Sequence, residues 1–325
     1  MKIKVSVVVP TYRRPHLVNR CLAALLRQDF ERGAYEIIIA DDGDDPLTRA
    51  VVLGWMYRVG TAPRITYLPV QHTRGPAGAR NSGWRMALGE VIAFTDDDTI
   101  PHRNWLKHGW RAMESGAWAA AGRVRVPLPE SAPTDYELDA SHLDGAEFVT
   151  ANCFVRRDAL EAIGGFDQRF TAAWREDSDL FFSLLEAKAK VIAAPEAMVD
   201  HPVRPAQWGV SVRQQRKILF DALLFKKHPR LYRQKIRALP PWNYYAIVAA
   251  LAAMLWGIFG ESLPLAVVAG AVWFGLTAQF CLKRLRHTAH NPLHVLEMIA
   301  TSMLIPPVAT FWRLVGALRW RVLFI

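Results

Sequence analysis

The hydrophobic pattern changes character along the chain. Residues 3–9 form a β-branched run, the pattern of a strand buried on both faces. Pro15 then opens a helix expected to reach about residue 28, with Leu17, Cys21, Leu22, Leu25 and Leu26 on one face. Residues 35–40 and 64–70 read as further strands, 77–88 as a helix, 91–95 as a fourth strand, and 118–126 and 191–194 as additional strand candidates. This alternation predicts an α/β fold, an open and mostly parallel sheet flanked by helices. Beyond residue 203 the pattern is different. Residues 242–260 and 262–282 are free of charge, and each is close to the 20 or so residues a bilayer span needs. Trp242, Tyr244 and Tyr245 stand at one end, where interfacial aromatics belong. A third apolar stretch, 293–312, holds Glu297 and Pro306-Pro307. It is expected to form a re-entrant or interfacial hairpin, with the last helix on the membrane surface and Arg313, Arg319 and Arg321 toward headgroups.

Charge sharpens this division. The net charge of +10 over 325 residues is uneven. Residues 1–202 carry −3, residues 203–237 carry +9 with Asp221 as their one acid, and residues 238–325 carry +4. Basicity confined to 35 residues beside apolar spans fits a membrane surface, not a nucleic-acid-binding face. Residues 209–228 read as a basic amphipathic stretch, with Val212, Leu219, Phe220 and Leu223 apolar and Arg213, Arg216, Lys217, Lys226 and Lys227 cationic. The expected organisation is a catalytic domain over 1–202, an interfacial linker over 203–240 and a membrane region over 241–325. The turn between the two spans has only Glu261, whereas both flanks are basic, so the positive-inside rule predicts a multi-pass membrane protein with its first 240 residues in the cytoplasm. The opening segment lacks the apolar core and cleavage site of a signal peptide. Three scattered cysteines, Cys21, Cys153 and Cys281, exclude a disulfide framework and fit a reducing compartment. The sequence carries no signal of oligomeric state.

In open α/β sheets ligands bind beyond the carboxyl ends of the strands. Three predicted strand ends are polar there: Pro10-Thr11-Tyr12, Asp41-Asp42-Gly43-Asp44-Asp45 and Asp96-Asp97-Asp98. Adjacent carboxylates repel and would take up a proton unless a cation joins them. With Arg74, Arg80 and Arg85 between the two acidic clusters, a site for Mg²⁺ or Mn²⁺ and a diphosphate is expected. A second polar segment, Trp174-Arg175-Glu176-Asp177-Ser178-Asp179, opens a helix and follows Gly164-Gly165-Phe166-Asp167.

These segments carry a resemblance. Val-Val-Val-Pro-Thr-Tyr-Arg-Arg at 7–14, Asp-Asp-Gly at 41–43, Ala-Arg-Asn-Ser-Gly at 79–83, Phe-Thr-Asp-Asp-Asp-Thr at 94–99, Gly-Gly-Phe-Asp-Gln-Arg-Phe at 164–170 and Arg-Glu-Asp-Ser-Asp-Leu at 175–180 resemble, in order and spacing, the family 2 glycosyltransferases of GT-A fold. The resemblance covers about residues 4–202. It implies that Thr11, Asp41 and Asp42 hold the nucleoside of a nucleotide-sugar donor and that Arg80 lies near its ribose or diphosphate. It makes Asp96 and Asp98 the metal-binding Asp-x-Asp pair, with His201 as a further ligand, and Asp177 the general base. Pro10, Asp97, Trp174 and Glu176, in the same motifs, are expected at the substrate site. The implied activity is an inverting, metal-dependent transfer of a sugar to a lipid or lipid-linked acceptor at the cytoplasmic leaflet. The alternative is a non-catalytic membrane module that keeps the fold and binds a nucleotide sugar or scaffolds a partner. The intact set Asp96, Asp98 and Asp177 favours the enzyme.

Overall fold

The computed structural model describes residues 2–71 and 73–324. In chain order its elements are β1 (Val5–Thr11), α1 (Pro15–Leu25), β2 (Tyr35–Asp41), α2 (Pro46–Val59), β3 (Arg64–Pro69), α3 (Pro76–Met86), β4 (Val91–Thr95), β5 (Ile100–Pro101), α4 (Trp105–Met113), β6 (Ala119–Arg125), α5 (Asp135–Ser141), β7 (Asn152–Arg156), α6 (Arg157–Ile163), α7 (Glu176–Glu186) and β8 (Val191–Asp200). There follow α8 (Val210–Gln214), α9 (Leu219–Lys227), α10 (Pro229–Leu231), α11 (Trp242–Phe259), α12 (Leu263–Leu285) and α13 (Pro292–Trp320). Two compact units emerge: Met1–Pro127 with His142–Val203, and Leu128–Ser141 with Arg204–Ile325.

The first unit is built on one sheet of order β3-β2-β1-β4-β7-β6-β8-β5. β1 to β4 pair in parallel, as the alternating pattern predicts. β7 then enters antiparallel between β4 and β6, so the sheet is mixed. β1 and β2 are buried along their whole length, and full burial of each Val or Ile side chain stabilises the fold by about 1.5–3 kcal/mol. Register aligns Thr11 with Asp41, bringing the ends of β1 and β2 side by side on one rim. Helix starts follow local chemistry. Pro15, Pro46 and Pro76 occupy first-turn positions, and Asp45 caps α2 by accepting from the Thr48 amide at 2.9 Å. α4 lies close to the sheet because Gly109 has no side chain: a Cβ there would fall 2.0 Å from the Phe154 ring. β5, β7, α2, α4 and α6 lie outside the elements expected from the sequence, although α4 buries Trp105, Leu106, Gly109 and Met113 at helical spacing.

The second unit contains three helices long and apolar enough to cross a membrane: α11, α12 and α13. Trp256, Phe259 and Phe274 are 77%, 83% and 69% exposed; apolar surface of that extent belongs in lipid, so this unit is membrane-associated. Residues 128–141, read from sequence as part of the catalytic domain, are grouped with this unit. Arg284 explains why. Its Nη2 and Nε donate to the Asp135 carboxylate at 2.6 and 3.2 Å, and its Nη1 donates to Thr301 Oγ1 at 2.8 Å and Ser302 Oγ at 3.0 Å. Other expectations fail here. Pro306-Pro307 does not break the chain into a hairpin, since α13 runs through it as one helix. Arg313 does not lie on the surface but is buried, 4% exposed. The amphipathic stretch is interrupted by a 3-10 turn, and Leu219 to Leu224 of α9 are all buried. The close fit is with α13, where Gly316 leaves so little room that a Cβ would stand 3.1 Å from Ala222 Cβ. Trp320 Nε1 donates to the Leu219 carbonyl at 3.0 Å, and Lys226 donates to the Trp320 carbonyl at 2.8 Å.

Candidate active site

The polar rim of the first unit forms two connected groups of side chains. The first centres on β4's end. Asp96, Asp98 and His201 each offer a ligand atom, and these atoms lie within 4.8 Å of one another. His201 Nε2 stands 3.3 Å from Asp98 Oδ1. Two carboxylates and an imidazole at that spacing form a donor set that fits a divalent ion such as Mn²⁺. The strand end carrying His201 is held from behind: the His201 amide donates to the Arg125 carbonyl at 2.8 Å, while Arg125 forks onto Asp200 at 2.6 and 2.8 Å. His102 Nε2 lies 3.1 Å from the same carboxylate. Arg125 and His102 carry no motif in the sequence; the Asp200-His201-Pro202 run was the signal available.

Asp97, the middle residue, faces the other way. Its Oδ2 accepts from Thr11 Oγ1 at 2.7 Å and its Oδ1 from Arg14 Nη1 at 3.2 Å. Burial, reinforced by the neighbouring Asp98 charge, pushes its carboxyl up to about 6. Asp97 therefore braces β1 against the acidic turn, and the Thr11 hydroxyl is engaged in that brace. Pro10 is buried inside β1.

The second group centres on Arg80 of α3, 2% exposed. Its Nη2 donates to Asp96 Oδ1 at 2.7 Å and its Nη1 to Glu176 Oε1 at 3.0 Å. One guanidinium thus joins the Asp-x-Asp turn, 16 residues on from Arg80, to the start of α7, 96 residues on from it. Burial holds the Glu176 carboxyl above the ordinary range, against the opposing pull of Arg80. Asp177 is likewise raised, by burial first, although its Oδ1 accepts from the Ser178 amide at 2.6 Å. Buried Cys153 registers the same neighbourhood: burial raises its thiol, Arg80 lowers it, and Asp96 and Asp177 both raise it. Glycine shapes this corner. Gly165 has φ +71°, and a Cβ on it would stand 2.6 Å from Asn81 Oδ1, the atom that accepts from the Phe166 amide and Trp84 Nε1. Trp174 sits just before α7, with the Arg175 guanidinium 4.6 Å from its ring centre.

At the end of β2, Asp41 is fully buried and engaged: it accepts from the Gly43 and Asp45 amides and from Tyr67 Oη, each at 2.9 Å. It shapes the loop. Asp42 accepts from the Gly75 amide at 2.7 Å, which ties this loop to the start of α3. Its Oδ1 has no hydrogen-bond partner among the described residues, and burial raises its carboxyl. An unpartnered acceptor at the strand ends is what a ligand's N–H or O–H would satisfy.

Such a rim on such a sheet defines the GT-A class of nucleotide-diphospho-sugar transferases. The sequence profile "Glycosyl transferase family 2" matches residues 6–164, and "Glycosyl transferase family group 2" matches 91–315. The chain belongs to the family 2 glycosyltransferases and is a glycosyltransferase by that membership. It is 24% identical over 250 residues to glycosyltransferase AglE of Haloferax volcanii, covering 73% of this chain and 79% of that protein. A shorter segment of 96 residues, 30% of this chain and 35% of the relative, is 32% identical to the Escherichia coli UDP-Glc:alpha-D-GlcNAc-diphosphoundecaprenol beta-1,3-glucosyltransferase WfgD. In fold it is similar to mannosyltransferase PcManGT from Pyrobaculum calidifontis, solved with GDP-Man and Mn²⁺, with a TM-score of 0.65 and 20% identity over 97% of this chain and 88% of that one.

Proposed function

We propose that the protein is a divalent-metal-dependent, inverting glycosyltransferase that moves a sugar from a nucleotide diphosphate to a lipid-linked acceptor at the cytoplasmic face of a membrane. The observation that carries the reading is the Arg80 bridge, which links the Asp96–Asp98–His201 donor set to the Glu176–Asp177 start of α7. Asp96, Asp98 and His201 would hold Mn²⁺ or Mg²⁺, whose chemistry is to offset charge growing on the departing diphosphate. Asp42 Oδ1 is the acceptor available to the donor's nucleoside. Asp177 takes the proton from the acceptor hydroxyl as its oxygen bonds to the anomeric carbon. The bond from that carbon to the diphosphate oxygen breaks on the opposite side, so the configuration inverts. Glu176, paired to Arg80, fixes the first turn of α7 and so the aim of Asp177. The names of WfgD and of the PcManGT complex support a lipid-diphosphate acceptor and Mn²⁺ respectively.

The second unit supports a membrane setting in which α11 and α12 cross as a hairpin turning at 260–262 and α13 lies at the interface. Arg284, at the end of α12 remote from that turn, bonds Thr301 and Ser302 of α13. Tyr244, at the remote end of α11, shares a cavity with Thr310 and Arg313 of α13. From residue 301 to 313 a helix advances about 18 Å, yet it stays beside those two ends. That supports a path beneath the hairpin over one along it. The basic flanks support the cytoplasmic side for that level by the positive-inside rule.

The test of catalysis is Mn²⁺-dependent release of nucleoside diphosphate from UDP-, GDP- and dTDP-sugars, with label followed into the lipid fraction. Asp98→Ala and Asp177→Asn should abolish both; undiminished turnover in either variant overturns the assignment. Topology is tested by impermeant maleimide on intact cells, since the native cysteines are buried. Glu261→Cys should label and His287→Cys should not, and the reverse pattern inverts the orientation.

A further inference from the structure

Within the second unit, a cavity of about 30 Å³ lies between α13 and the start of α11, with Asp221, Arg237, Tyr244, Thr310 and Arg313 in its wall. Arg313 is 4% exposed, and its Nε and Nη2 have no hydrogen-bond partner among the described residues. Its guanidinium carbon lies 3.6 Å from the centre of the Phe324 ring. That contact satisfies the face of the guanidinium, whereas the Nε and Nη2 donors lie in its plane and remain unanswered. Thr310 Oγ1, one turn earlier, is also buried without a partner. Arginine does not shed its proton, so a buried guanidinium edge without an acceptor calls for an oxyanion. Arg237 lines the same cavity from an exposed position. Two guanidiniums against the single Asp221 carboxylate, which has interactions of its own, leave the wall net positive.

We propose that Arg313, Arg237 and Thr310 form a binding site for the phosphate of a membrane lipid. The cavity has room for about two water-sized atoms. One or two phosphate oxygens would enter against Arg313 and Thr310, and the rest of the headgroup would meet Arg237 outside. The planar guanidinium fork suits two oxygens of one phosphate. Trp242 and Tyr244 begin the apolar α11, the depth at which headgroup phosphates lie. The site would clamp α13 to the hairpin through a lipid. The choice of a lipid source rests on the interfacial reading of α13 given above, and not on the transferase chemistry.

The experiment uses the full chain, purified and delipidated in neutral detergent. Phosphatidylglycerol, diacylglycerol (which has no phosphate) and inorganic phosphate are titrated in turn. Bound lipid is read by native mass spectrometry and the melting temperature alongside it. Phosphatidylglycerol should bind and raise the melting temperature, and diacylglycerol should not. Arg313→Gln should weaken phosphatidylglycerol binding at least tenfold. Arg237→Gln, at an exposed position that folding tolerates, should weaken it severalfold. Equal binding by wild type and both variants, or an equal response to diacylglycerol, overturns the site. Saturation by inorganic phosphate that removes the response to phosphatidylglycerol overturns the lipid source. None of these readouts involves glycosyl transfer, so a failed transferase assay and a failed lipid assay are separate results.

Discussion

Replacing Arg80 by methionine tests the bridge on which the site depends. The substitution keeps a long apolar stem and removes both charged donors. Glu176, with its side chain 5% exposed, then has no counter-charge, and Asp96 loses its contact at 2.7 Å. Removing one partner of a buried ion pair costs about 3–5 kcal/mol. For a domain of this size, each kcal/mol lowers the melting temperature by about 2–4 °C, so a fall of roughly 10 °C is expected. The loss should depend on pH in a definite direction. Burial raises the folded-state pKa of Glu176 above its unfolded value, and Arg80 opposes that rise; without Arg80 the rise is larger. A carboxyl raised in the folded state contributes stability below its unfolded pKa and loses it as pH rises through the folded one. The gap between Arg80→Met and wild type should therefore widen with pH, by at most about 1.4 kcal/mol per unit for one proton. Scanning fluorimetry of the full chain in detergent at pH 6 and pH 8.5 measures it, with Arg80→Lys as the control that keeps the charge but not the fork. Melting of Arg80→Met with wild type at both pH values would refute the claim that the guanidinium bridges two buried carboxylates.

Further predictions concern chemistry and packing. His201→Ala should raise the Mn²⁺ concentration for half-maximal activity by about tenfold or more, because one of three protein donors is lost; activation curves read this directly. Asp177→Asn should reduce kcat by about 10²–10⁴. Because burial raises the Asp177 carboxyl, kcat/KM in the wild type should fall on acidification at a pH above the ordinary carboxylate range, and a pH–rate profile checks it. Gly165→Ala should destabilise by about 1–3 kcal/mol, since φ is +71° and the new methyl would stand 2.6 Å from Asn81 Oδ1; a drop in melting temperature is the readout.

Much of this protein is written in local pattern. The β-branched runs that become β1 and β2, the proline that opens α1, and the uncharged stretches of α11 and α12 are legible because burial and membrane insertion act on composition over short windows. The acidic strand ends are legible too, because the rim of a parallel sheet is fixed by strand direction. What each acid does is not. Asp97 and Asp96 are neighbours in sequence, yet one braces Thr11 and the other meets Arg80. Asp41 and Asp42 are neighbours as well, and only Asp42 keeps an unpartnered oxygen. Successive side chains point to opposite sides, and the partners of Asp96 and Asp97 come from 16 and 86 residues away, so no local window contains the answer. The same holds for α13, where Pro306-Pro307 reads as a break. Its packing against α9, α11 and α12 holds a continuous helix and buries Arg313. Sequence determined the strongly patterned segments: the strands β1 to β4, the helices α1 and α3 and the apolar spans. Tertiary contacts decided which charges face a ligand, because an ionised group's role is set by the partners that surround it.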